Sequence, residues 1–162
     1  MGACPMQMNA MRGASVFIDS TTFLYTFDKL EAEKSIVALE WLTELRIADC
    51  GVTNLQVLNE IASVATRKHT RFGGDPFTRV DAFAMFGVEP VDFETALAAR
   101  QIFADSGYSW WDCLLLASAL ELGCTHFLSE DLQDGQRIEA GGKHLTIVDP
   151  FAHTPDQILS PR

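Results

Sequence analysis

Short runs of β-branched and aromatic residues alternate with segments of helical spacing along this chain, and that alternation restricts the fold more than any other feature. "ASVFID" (14–19) reads as a buried strand ending at Asp19. Further short strands are predicted around Cys50 to Thr53, at "VEPVD" (88–92), at "CTHFLS" (124–129) and at "HLTIVDP" (144–150). Helical segments separate them. Ser20, Thr21 and Thr22 suit a helix start before Phe23, Leu24 and Phe27. Residues 30–51 place Ile36, Leu39, Leu42 and Leu45 on one stripe, with glycine at the end. Asn54 is a candidate cap for "LQVLNEIASVATRK", and Pro76 falls in the first turn of a short helix over 75–87. A helix over 93–107 stops at Gly107, and "DCLLLASAL" belongs to a central helix, apolar almost all round. Short buried strands alternating with helices predict a parallel α/β sheet covered on both faces. In such sheets ligands gather at the carboxyl ends of the strands.

With 162 residues, the chain has the length of one domain. The expected division is a leader over 1–13, a domain over 14–152 and a tail over 153–162. The formal net charge of −10 argues against a protein that grips nucleic acid over its whole surface. It leaves room for a local basic patch, and "ATRKHTRFGGDPFTR" (65–79) is one. Arg67, Lys68, Arg71 and Arg79 cluster there with only Asp75 against them. An RNA-backbone contact and a solvated helix end both fit that patch. No apolar run approaches the ~18 residues needed to span a bilayer, and the start lacks the apolar centre of a secretory signal. Cys4, Cys50, Cys113 and Cys124 form no CxxC pair, which fits free thiols in a reducing cytoplasm. The four histidines sit at no spacing that joins a zinc site.

The acids are placed less blandly. Asp19 ends the first strand and Asp131 lies just past the fourth, both at the functional edge of the predicted sheet. Glu60 falls on a helical line with Val57 and Val64, set into an apolar stripe. Ser109-Trp110-Trp111-Asp112 has the form of a capping box at the front of the central helix. Helix capping explains Asp19 and Asp112 taken singly, and a water-facing head explains Glu60. Together they mean more. If Asp19, Glu60, Asp112 and Asp131 meet, each pair ~4 Å apart repels by about 4 kcal/mol at an effective dielectric near 20. Protons or a hard divalent cation must neutralise them, and an all-oxygen site suits Mg²⁺ or Mn²⁺.

"VFIDSTTFLYTFD", "VTNLQVLNEIASV", "YSWWDCLLLASALELGC", "HFLSEDLQDGQ" and "VDPF" resemble, in order, the segments of a PIN domain, most closely the VapC-type toxin ribonucleases of toxin–antitoxin pairs. The resemblance implies a three-layer α/β/α sandwich around a five-stranded parallel sheet. It also implies a Mg²⁺- or Mn²⁺-dependent endoribonuclease inhibited by a small antitoxin, and a homodimer. Asp19, Glu60, Asp112 and Asp131 match the family's four acids, with Asp19, Asp112 and Asp131 as the main metal shell. Ser129 matches the small hydroxyl before the last acid, and Glu130 the variable position between them. The family usually has Asn two residues after the first acid; this chain has Thr21, which keeps a hydroxyl and loses the amide donors. Thr21 and Ser129 are then expected to supply supporting hydrogen bonds.

Two other classes remain to be separated. A PIN-like module with weakened chemistry that only engages RNA or a protein draws support from Thr21. A phosphoryl-transfer domain of the receiver type would want an acidic pair near the first strand and a lysine after the last one. Lys143 precedes that strand, and a D-x-D phosphatase motif fails at Asp19-Ser20-Thr21.

Overall fold

A computed structural model describes residues 13–160. The expected leader, apart from Gly13, lies outside the described residues, as does Cys4. The elements run β1 (Val16–Ile18), α1 (Ser20–Tyr25), α2 (Ala32–Ile47), β2 (Gly51–Val52), α3 (Leu55–Arg67) and α4 (His69–Phe72). They continue through α5 (Pro76–Phe83), a 3-10 turn (Ala84–Phe86), α6 (Phe93–Ser106) and α7 (Trp110–Glu121). The chain closes with β3 (His126–Leu128), β4 (Arg137–Ala140), β5 (Lys143–Val148) and α8 (Pro155–Leu159).

The five strands form one sheet in the order β2-β1-β3-β5-β4, flanked by helices. The first four in that order are parallel, and β4 runs antiparallel to β5 at the edge. The expected all-parallel sheet is therefore corrected at one strand. The reason is local. Gly141 and Gly142, both at positive φ (58° and 75°), close a two-residue hairpin between β4 and β5. The strand expected over 88–92 does not form. Glu89 makes only a single parallel bridge to Asn54, and Pro90 brings no N–H with which to extend it.

The central strands and α7 are buried as their composition demands. Val16, Phe17, Ile18, Phe127, Leu128 and Ile147 are all buried, and the Phe17 and Phe127 rings stack at 5.2 Å. Every residue of α7 from Cys113 to Leu120 is buried, so this helix does run through the core. In α2 the stripe is rotated from the one expected. Ala38, Trp41, Leu42 and Leu45 are buried, whereas Ile36 and Leu39 are exposed. Trp41 decides that rotation by burying its ring and donating from Nε1 to the Pro150 carbonyl at 2.9 Å. The segment expected as a tail carries α8, which packs against α2. Cys50, Cys113 and Cys124 are free thiols, and burial pushes Cys124 up to about 12.

Two details of the fold set up the functional edge. Ile18, Leu128 and Val148 lie level across β1, β3 and β5, so the residues that follow them emerge together. Gly87, at φ 141°, lets its turn lie directly on the backbone of Thr53, where a Cβ would strike the Thr53 carbonyl oxygen. Thr53 in turn donates from Oγ1 to the Ile18 carbonyl at 3.1 Å, tying the start of α3 to the end of β1.

Candidate active site

Asp19 leaves β1 and caps α1 at the same time. Its Oδ1 accepts the Ser20 N–H at 2.7 Å, and its Oδ2 accepts the Ser129 hydroxyl at 3.0 Å. The carboxylate is buried, and its pKa is raised to about 7. Burial is the main cause; the negative charges of Glu60 and Asp112 add to it, against the lowering by its two hydrogen bonds. Capping and placement in the site coexist in this residue.

The other acids arrive from three separate elements. Asn54 caps α3 by accepting the Val57 N–H at 3.0 Å, which starts the helix where Glu60 comes round beside the buried Val57 and Ile61. Glu60 is half-buried and accepts the Gln56 amide at 3.3 Å. Ser109 caps α7 by accepting the Asp112 N–H at 3.1 Å, and its hydroxyl donates to Asp112 Oδ2 at 2.7 Å. Beyond β3, the Asp131 N–H donates to Ser129 Oγ at 3.3 Å, and Asp131 Oδ2 accepts the Thr21 hydroxyl at 3.3 Å.

The result is one cleft of about 500 Å³ lined by Asp19, Thr21, Glu60, Asp112 and Asp131. Ser129, fully buried, stands behind it on Asp19. Glu130 is occupied elsewhere. It pairs with Lys34 at 2.7 Å and accepts the Tyr25 hydroxyl, while Lys34 lies over the Tyr25 and Phe151 rings.

The basic segment divides under inspection. Lys68 lines the cleft and Arg67 is exposed at the end of α3. Arg71 also lines the cleft, but its guanidinium clamps Asp28, with Nε 2.9 Å from Oδ1 and Nη2 2.5 Å from Oδ2. Arg79 lies 4.3 Å over the Phe27 ring. Asp28 was not singled out from the sequence, where 43 residues separate it from Arg71. Its one sequence signal is an acid directly after the apolar Phe27. Burial pushes the Asp28 carboxyl up, yet the Arg71 and Leu30 hydrogen bonds outweigh burial and hold it below the ordinary carboxylate range.

No histidine lines the cleft. His153 sits 2.8 Å from Asp134, and His126 is part of β3. Phe83 and Phe86 pack on Phe23, and Trp110 stands edge-on to Phe103. Met85 and Trp111 are exposed.

The donor set is all oxygen, and one member is a desolvated carboxylate short of a positive partner. Among the described residues, no three His, Cys, Asp or Glu side chains close into a cage around one point. An all-oxygen donor set is the chemistry a hard divalent cation takes, although these side chains as placed do not close on one point.

A cleft lined by Asp19, Glu60, Asp112 and Asp131, with the Arg71-paired Asp28 on its wall, at the carboxyl edge of a mostly parallel sheet defines a class. The chain matches the PIN domain over residues 16–136 and belongs to that family, whose members are generally nucleases that use divalent metals. No curated protein matches the chain. No helix among the described residues is long and apolar enough to cross a membrane.

Proposed function

We propose that this chain is a metal-dependent endoribonuclease of the VapC type, a cytoplasmic toxin held in check by a small antitoxin that covers the cleft. The observation that carries the nuclease reading is the convergence of Asp19, Glu60, Asp112 and Asp131 on one cleft. The toxin assignment, the antitoxin and the homodimer rest on the resemblance of the ordered segments.

Asp19, Asp112 and Asp131 would hold the cation, Mg²⁺ or Mn²⁺. Bound there, it supplies Lewis-acid stabilisation of the phosphodiester and a more acidic water. The protein's share is position. Ser20 N–H and Ser129 fix both oxygens of Asp19, Ser109 fixes Asp112, and Thr21 holds Asp131. Glu60, whose Oε1 is steadied by Gln56, orients the attacking water or completes the shell. Thr21, where the family usually has Asn, keeps a hydroxyl bond to Asp131, and this favours an active enzyme over a disabled one.

Purified protein incubated with single-stranded and structured RNA tests the reading. Cleavage with Mg²⁺ or Mn²⁺ that stops on chelation supports it; metal-independent cleavage or none overturns it. Binding of RNA without cleavage at any cation concentration supports the alternative, a weakened PIN-like binding module.

The basic patch gives a separate expectation. Replacing Arg67 and Lys68 with Gln removes two phosphate-facing charges, so the salt slope of RNA binding falls by roughly 1.4 at ~0.7 per single-strand contact. An unchanged slope assigns both residues to solvent.

A further inference from the structure

Beside the acidic cleft lies a second one, of about 610 Å³, whose walls are mainly apolar. Leu55, Pro90, Val91 and the indole of Trp111 form the walls, and the amides of Gln56 and Asn59 stand among them. Glu60 and Trp111 line both clefts, so the two are adjacent. Trp111 immediately precedes Asp112 and is 65% exposed, although α7 buries every residue from Cys113 to Leu120. A large indole left in water at that point contributes little to the core.

We propose that this second cleft is a nucleobase pocket, in which a base flanking the scissile phosphate stacks on Trp111. The inference rests on the nuclease reading and names the substrate it takes: unpaired RNA with at least one base free to leave its stack. A strand with its phosphate against the four acids must carry its neighbouring bases past the rim of that cleft. Trp111 forms the rim. Stacking on an aromatic face suits every base, because every base has a π-face. The Gln56 and Asn59 amides each offer a donor and an acceptor to the base edge, which is the means of preferring one base over another. Paired RNA keeps its bases stacked inside the helix and cannot use the pocket.

The test is steady-state cleavage of a single-stranded RNA oligonucleotide, in parallel with copies carrying one abasic nucleotide at each position around the cut. Trp111→Ala is expected to raise KM about ten- to a hundredfold with kcat within about threefold, and Trp111→Phe to restore most of the loss. One abasic position beside the cut should cost the wild type as much, and should cost Trp111→Ala nothing further. Wild-type cleavage with an unchanged KM in Trp111→Ala overturns the pocket and leaves the nuclease reading intact. So do losses that multiply. If Trp111→Ala leaves cleavage unchanged but weakens inhibition by a protein, the groove is a protein-docking site and the proposal fails. If the wild type cleaves no RNA, the nuclease reading fails. Indole fluorescence then decides the pocket alone: quenching by the oligonucleotide, lost in Trp111→Phe, keeps it, and no quenching removes it.

Discussion

Asp19→Asn is expected to lower RNA cleavage at least about a thousandfold while making the metal-free protein more stable at pH 8. The first effect follows from losing a charge that holds the cation, whose Lewis-acid contribution of several kcal/mol corresponds to about that factor. The second follows from proton linkage. Folding raises the Asp19 pKa from 3.8 to about 7. Between those two values the folded state holds a proton that the unfolded state has released. The Asp19 contribution to stability therefore falls as pH rises from about 4 to about 7, and is level below and above that window. The whole interval corresponds to about 4 kcal/mol at ~1.36 kcal/mol per unit. Asparagine cannot ionise, so the variant escapes this loss. Its Oδ1 still accepts the Ser20 N–H, and its amide can donate to Ser129. Urea unfolding at pH 5 and pH 8 checks the sign: the wild type should lose stability relative to Asp19→Asn as pH rises between them.

Arg71→Ala is expected to destabilise the fold by about 1.5–3 kcal/mol, because it removes charge-assisted hydrogen bonds from a carboxylate on the cleft wall. Asp28 is 5% exposed and accepts hydrogen bonds from two guanidinium nitrogens and the Leu30 N–H. Asp28 and Arg71 both line the acidic cleft, so water can take over part of this bonding once the guanidinium is gone. Replacing both partners, as Asp28→Leu with Arg71→Met, should recover most of the loss, since no charge is then left without its partner. Chemical denaturation of the wild type and these two variants measures this. The pair also has a pH signature opposite to that of Asp19. The Asp28 carboxyl is lowered, so its contribution is present above the ordinary carboxylate pKa and disappears as acid protonates it. Loss of RNA binding in Arg71→Ala alone would therefore report instability as much as contact. Arg67 and Lys68 are the cleaner probes.

These two residues show where sequence reading succeeds and where it stops. Asp19 was legible because strand, acid and helix start follow one another directly, so its position at the sheet edge needs no long-range information. Asn54 and Ser109 were legible for the same reason: a cap acts within three residues. Glu60 was legible as an acid out of place on an apolar stripe. Arg71 sits in a basic run that fits an RNA-backbone contact or a solvated helix end, and neither reading reaches Asp28, which lies 43 residues earlier, beyond any local pattern. In α2, Ile36 and Leu39 keep helical spacing and yet face water, since the large indole of Trp41 determines which side is buried. The β4–β5 hairpin carried a readable signal. Gly141-Gly142 separates Arg137-Ile138-Glu139, in which only Ile138 is buried, from the last strand. The exposed charges on either side of Ile138 obscured it.

The central claim is that the four acids are neutralised by a divalent cation, and a melting-temperature titration tests it most directly. Mn²⁺ is added to metal-free wild type, Asp19→Asn and Asp112→Asn at pH 8. A cation that binds only the folded state at a hundred times its Kd adds about 2.7 kcal/mol. The wild type should therefore melt several degrees higher, in a saturable manner, and the two variants should not respond. An equal rise in all three proteins, or no rise in the wild type, would contradict the account.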